Sequence, residues 1–116
     1  MYSKYNVGSK ETRTYNGITF DSKAEMKRYT ELLLLQKAGA ISDLRLQTPF
    51  ELIKTFKYKG KTIRGSKYYA DFTYYENGNY VVEDVKGVKT ALYQEKKKEL
   101  LTKYPEIDFR ETGAAK

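Results

Sequence analysis

Cysteine, histidine and tryptophan are absent from this chain of 116 residues, and proline occurs only twice. Without cysteine there is no disulfide framework, no thiolate nucleophile and no thiolate metal site, and nothing asks for an oxidising compartment. Without histidine, serine and cysteine triads, zinc fingers and any hydrolase that activates water with an imidazole are excluded. Chemistry, if any, must run on carboxylates, lysine, tyrosine or a metal held by oxygen. The longest apolar run, Leu32 to Leu35, is far short of the roughly 20 residues that cross a bilayer, so no membrane span is expected. The first residues, Met1-Tyr2-Ser3-Lys4-Tyr5-Asn6, carry no hydrophobic segment behind their basic residue, so no secretory signal is expected and a cytoplasmic location is.

What is present describes an ordinary globule. Apolar types make up 40% and charged types 32%, enough to bury one core, and the length suits one domain. The 22 basic residues outnumber the 15 acidic ones by seven, and the excess is clustered. Between Leu52 and Ala70 stand Lys54, Lys57, Lys59, Lys61, Arg64 and Lys67 with no acidic residue. A second group, Lys96, Lys97, Lys98 and Lys103, is partly offset by Glu95 and Glu99. Such a surface gains affinity for a polyanion by releasing counterions from phosphates, and nucleic acid is the first partner it suggests. The competing reading is that the charge serves solubility alone.

Along the chain, Asn16-Gly17 between Thr14-Tyr15 and Ile18-Thr19-Phe20 predicts a small hairpin. Asp21-Ser22 offers a helix cap, and Lys23 to Ala38 predicts a helix stopped at Gly39. β-formers gather on both sides of Pro49, which predicts an edge strand broken or bulged there. Gly60 and Gly65 bracket a basic loop or irregular ribbon. Asn77-Gly78 joins two strongly strand-like runs, Tyr68 to Tyr75 and Tyr80 to Lys86, as a second hairpin. Thr90 is a cap for a helix over Leu92 to Tyr104 that Pro105 ends, and Ile107 to Arg110 adds a last strand. Residues 1–12 and 112–116 read as a flexible basic tail and a short C-terminal tail around a single domain at 13–111. The order of elements predicts a mixed α/β (α+β) fold, a central mixed sheet flanked by two helices.

The chemistry follows from the register of the second hairpin. With Asn77 and Gly78 as the loop, paired positions sum to a constant, so Glu76 faces Asn79 and Asp71 faces Asp84. Opposed side chains share a face about 4.5–5.5 Å apart. Two carboxylates so placed repel unless a proton or cation sits between them. A hard divalent ion with oxygen ligands answers that need. Period-two alternation brings Lys86 to the same face and turns Glu83 and Val85 to the other. A lysine there can orient or deprotonate an attacking water or offset charge on a phosphate. The plainer alternative is a pair of edge carboxylates neutralised by Lys86 and its neighbours.

Ala70-Asp71 followed by Asp84-Val85-Lys86 resembles the PD-(D/E)XK nuclease superfamily, whose active site is an Asp on one strand and an acidic-x-Lys on the next. Ala70 departs from the Pro of that name and leaves the Asp in place. The likeness extends over Asn16 to Ser22 with Glu25, Leu46 to Leu52, Tyr69 to Phe72, and Glu83 to Gly87 with Thr90, Tyr93 and Lys96. This is similar to a small phage-encoded branch of unknown function, related to Holliday-junction resolvases. The resemblance implies a restriction-endonuclease-like core and an Mg²⁺- or Mn²⁺-dependent endonuclease acting on DNA, with branched or recombination intermediates as candidate substrates in the bacterial host cytoplasm. It implies Asp71, Asp84, Lys86 and Glu25 as catalytic residues and Asp71, Asp84, Val85 and Glu25 as metal ligands.

Several assignments keep two readings. Glu25 lies on one helical face with Tyr29 and Leu32 at i, i+4 and i+7, yet Ser22-Lys23-Ala24-Glu25 is also a capping box. Gln47 either supports the site or is a structural strand residue. Lys96 and Lys97 either touch phosphate, with Lys54, Lys57, Lys59, Lys61, Arg64 and Lys67, or form a wet basic face. Phe56, Tyr58, Tyr68 and Tyr69 interleave with the basic residues and either stack on unpaired bases or pack in the sheet. Symmetric cutting of two strands would need a homodimer. The alternative to an enzyme is a nucleic-acid-binding or partner-binding module on the same fold without turnover.

Overall fold

The protein is described by a computed structural model, over residues 9–85 and 89–112. Lys86 and the outer parts of both expected tails lie outside the described residues. Within them, Glu11–Arg13 forms a single 3-10 turn, and Thr112 ends a strand, so regular structure reaches slightly past 13–111.

The hairpin β1 (Thr14–Tyr15) and β2 (Ile18–Thr19) turns on Asn16 and Gly17, with φ of 53° and 78°, the pair of left-handed residues that a type I′ turn requires. Helix α1 (Lys23–Lys37) follows. The Ser22 hydroxyl accepts from the Glu25 amide at 3.1 Å at its start, and Gly39 at φ 83° ends it. Strand β3 (Ser42–Ile53) leads into a two-stranded arm, β4 (Phe56–Tyr58) and β5 (Lys61–Ile63), and the chain returns through β6 (Ser66–Glu76). Strand β7 (Asn79–Val85), helix α2 (Ala91–Lys103) and strand β8 (Asp108–Thr112) complete the order.

The main sheet runs β3-β6-β7-β8. Its first two pairings are antiparallel, and β7 pairs with β8 in parallel, which the crossover through α2 makes possible. Val81 belongs to a cluster with Tyr29 and Leu32 of α1, and its neighbour Val82 to one with Leu100 of α2. Consecutive strand residues point to opposite faces, so the two helices cover opposite sides. This is the expected mixed α+β architecture, a four-stranded mixed sheet with two helices.

Two local expectations change. Pro49 does lie on an edge strand, but β3 passes through it unbroken. An edge strand can turn the missing N–H of proline outward, and the register slips instead between Ser42 and Arg45 and between Glu51 and Ile53. The stretch between Gly60 and Gly65 is no irregular ribbon but half of a regular hairpin, turned by Lys59 and Gly60 at φ of 48° and 77°. At its neck, a Cβ on Gly65 would stand 1.8 Å from the Ile53 carbonyl oxygen. Only glycine lets the two chains cross so closely.

Candidate active site

Asp71 stands where both ladders of β6 open. Toward β3, the registered pairs step from Leu46↔Phe72 to Thr48↔Ala70 and pass over Gln47 and Asp71. Toward β7, the register runs from Glu76↔Asn79 to Phe72↔Glu83 and stops one residue short of Asp71 and Asp84. The arithmetic of the Asn77-Gly78 turn therefore holds for every registered pair, and the carboxylate position is where backbone pairing yields to side chains.

The opening is a reversal of the strands. Tyr68 and Ala70 pack in the α2 cluster, whereas Phe72 and Tyr74 pack in the α1 cluster. On β3, Leu46 packs with the α1 side and Phe50 and Leu52 with the α2 side. Unbroken alternation would keep each set on one face. Gln47 takes a left-handed φ of 51° at the crossing, a conformation that disfavours side chains with a Cβ. Thr48 and Thr73 close the α2 side with hydroxyls 2.7 Å apart.

Side chains fill the gap. The Asp71 amide donates to Asp84 Oδ1 at 2.9 Å, and the Val85 amide donates to Asp71 Oδ2 at 2.8 Å. Gln47 Nε2 donates to Asp71 Oδ1 at 3.3 Å. Asp84 is buried at 1% exposure and Asp71 is half-buried. The two carboxylates thus interlock through two backbone amides. They offer oxygen alone, a donor set that fits a hard divalent cation.

The first turn of α2 lies beside this pair. The Thr90 hydroxyl caps the helix by accepting from the Tyr93 amide at 3.1 Å. The Tyr93 hydroxyl donates to Glu111 Oε2 at 2.6 Å, and Lys89 and Lys97 reach Glu111 at 3.1 and 3.2 Å. Burial first, then the bond to Glu111 and the negative charges of Asp84 and Asp71, push the Tyr93 phenol well above its ordinary range. The Tyr93 bond, with the two lysines, pulls the Glu111 carboxyl down to about 2.

On the opposite face, Glu83 is fully buried. Arg28 grips it with Nε at 2.5 Å and a second nitrogen at 3.1 Å, Tyr74 donates at 2.6 Å and Thr112 at 2.8 Å. Burial acts to raise the Glu83 carboxyl, but these donors together hold it below the ordinary range. Burial and the bond to Glu83 push the Tyr74 phenol up to about 12.

The other sequence-predicted residues fall into three groups. Glu25 is buried with Tyr29 and Leu32, the stripe expected from their spacing. That stripe meets the Phe72 face, whereas Asp84 follows Val82 onto the α2 face. Among the described residues no three acidic side chains gather closely enough to hold a metal ion. Val85 contributes its amide to Asp71, and Lys86 lies outside the described residues. Lys54, Lys57, Lys59, Lys61, Arg64 and Lys67 are all exposed and form no ion pair among the described residues. Lys96 donates to the Lys67 carbonyl at 3.1 Å, and Lys97 serves Glu111 and lies 5.2 Å from the Phe109 ring centre. Tyr68 is 4% exposed in the core, so its stacking role is corrected to packing.

The contacts missed from sequence are the left-handed Gln47 and the partners of Glu83 and Tyr93. A signal for the last existed. A helix between two strands implies a parallel pair, and that pairing sets Glu111 beside Asp84.

Residues 2–114 match the family described as "Protein of unknown function (DUF1064)". The chain belongs to that family. No curated protein and no solved structure matches it. Among the described residues no helix is long and apolar enough to cross a membrane.

Proposed function

We propose that this chain is a divalent-metal-dependent endonuclease that hydrolyses phosphodiester bonds in DNA. One observation carries the reading: Asp71 and Asp84 interlock where the registered pairs of β6 with β3 pass over Asp71 and those with β7 stop. Mg²⁺ or Mn²⁺ commonly sits on one or two carboxylates and keeps waters that a phosphate can replace. Asp71 and Asp84 would hold the ion, which when bound polarises a phosphoryl oxygen and eases deprotonation of a water. The chain supplies the rest. The amides of Asp71 and Val85 fix the two carboxylates, and Gln47 steadies Asp71. In this reading Lys86, two residues after Asp84, orients the water or offsets phosphate charge, and Glu25, on the α1 side of the sheet, stays a helix-start residue outside the ion's ligands. The basic residues between Leu52 and Ala70 hold the DNA backbone. The resemblance to the PD-(D/E)XK nucleases supports the same chemistry and favours branched DNA or recombination intermediates in phage DNA metabolism, with a homodimer for two-strand cutting.

A second reading, a DNA-binding module without turnover, is favoured by a different observation. Both aspartates already accept N–H donors from the chain, so their proximity is partly compensated without a cation. The two readings part on one assay. Supercoiled, linear, branched and single-stranded DNA are incubated with the protein in Mg²⁺ or Mn²⁺. The nuclease reading expects cleavage of at least one substrate and its loss in Asp84→Asn. Absence of cleavage on all four, with DNA binding unchanged or strengthened in Asp71→Ala, establishes the binding module instead.

A further inference from the structure

The arm of β4 and β5 has two unlike faces. The register pairs Phe56 with Ile63 and Tyr58 with Lys61, and sets Lys57 opposite Thr62. Directly paired residues share a face, so Phe56, Ile63 and Tyr58 line one side of the ribbon. All three are exposed, at 47%, 40% and 60%, and the Lys59 ammonium lies 5.5 Å from the Tyr58 ring centre. Apolar groups of this size side by side on a ribbon too thin to have a core call for a partner.

Charge decides which partner. From Leu52 to Ala70 there are six basic residues and no acidic one, so a second arm would be repelled and a polyanion attracted. A duplex hides the faces of its bases in the stack, and its backbone has no use for two aromatic rings. Unpaired bases present both a phosphate chain for the lysines and a π-face for the rings. We propose that the β4–β5 arm is the element that recognises unpaired nucleotides, its Phe56 and Tyr58 rings stacking on bases while the flanking lysines hold the phosphates. This deepens the endonuclease reading by naming its substrate class as DNA with a single-stranded or splayed segment. Gly60 at the tip is eleven residues from Asp71, a reach of at most about 36 Å along extended chain. The unpaired segment therefore begins within about one helical turn of the carboxylates.

The test needs no cleavage. In EDTA, the full chain is titrated by fluorescence anisotropy with single-stranded, fully paired and forked oligonucleotides, and by flotation with phosphatidylserine-containing vesicles. The double variant Phe56→Ala, Tyr58→Ala is expected to weaken single-stranded and forked binding by about 5- to 150-fold per stacked ring, and duplex binding by no more than about twofold. Because the chain has no tryptophan, Tyr58→Trp introduces a single indole, excitable apart from the tyrosines, which unpaired bases are expected to quench and duplex is not. Equal loss on all three DNAs, no loss on any, or no quenching overturns the proposal. So does arm-dependent binding to vesicles without arm-dependent binding to DNA, or an arm whose removal only dissolves a dimer. Nuclease failure is read separately, since a chain that never cuts DNA would still show these binding differences.

Discussion

Glu83 and Asp84 are neighbours on one strand, both carboxylates and both buried, yet they sit in opposite settings. Glu83 faces α1 and is gripped by a guanidinium, a phenol and a hydroxyl from α1, β6 and β8. Asp84 faces α2, at the end of a ladder that has just opened, and holds the amide of another acidic residue. One acid ties four elements together, and the other is set against Asp71 where the sheet makes room. The contrast teaches that burial alone does not mark a functional acid. The partners separate the two: side chains from three other elements clamp Glu83, whereas the backbone amide of Asp71 holds Asp84 where the ladder opens.

Exchanging the fates of the two acids breaks or confirms that contrast. Asp84→Asn is expected to reduce metal-dependent cleavage to background, while urea unfolding changes by no more than about 1 kcal/mol, because the amide oxygen can still accept from the Asp71 amide. Arg28→Met is expected to do the reverse. It strands a buried carboxylate, a loss of about 3–5 kcal/mol, and leaves cleavage per folded molecule intact. If Arg28→Met instead abolishes cleavage in fully folded protein, the two faces are not separate.

Acidity sharpens the comparison further. The Glu83 carboxyl is held below its ordinary value, so its contribution is full above about pH 4.5 and is lost as pH falls through the lowered value. In Arg28→Met, burial is opposed by fewer donors and the carboxyl titrates higher, so the penalty should shrink on acidification. Measuring the stability difference at pH 7 and pH 5 checks this, and a penalty that grows at pH 5 contradicts it.

Glu111 provides a smaller effect of the same sign. Lowered from 4.5 to about 2, it contributes stability that is complete above about pH 4.5 and lost toward pH 2. Tyr93→Phe removes its strongest donor, so acid unfolding followed by circular dichroism should begin at a higher pH. The smallest effect concerns the crossing. Gln47→Val places a β-branched residue at φ 51° and should lose about 1–2 kcal/mol, while Gln47→Gly should match the parent within about 1 kcal/mol. Equal losses from both would mean that the left-handed turn is not what shapes the site.

The elements that turn on local chemistry were readable in the residues. Asn16-Gly17 and Asn77-Gly78 specify their hairpins, Ser22 and Thr90 cap their helices, and Glu25, Tyr29 and Leu32 are buried together as their spacing requires. The approach of Asp71 to Asp84 followed from counting outward from a two-residue turn. The reversal at Gln47 did not show, for a physical reason. Apolar residues keep an even phase through Leu44, Leu46, Phe50 and Leu52, and again through Tyr68, Ala70, Phe72 and Tyr74. A strand that passes from one core to another looks the same as one that stays on a single core. The arm was hidden likewise, because its turn is Lys59-Gly60, a weaker hairpin signal than Asn-Gly.

The central claim is that Asp71 and Asp84 form a cation site, and titrating the full chain with Mn²⁺ by isothermal calorimetry tests it most directly. The account predicts saturable binding by the parent that is lost in Asp84→Asn and in Asp71→Asn and kept in Arg28→Met, scored on folded protein. Equal Mn²⁺ binding by the parent and both aspartate variants, or none by the parent in the presence of DNA, would contradict it.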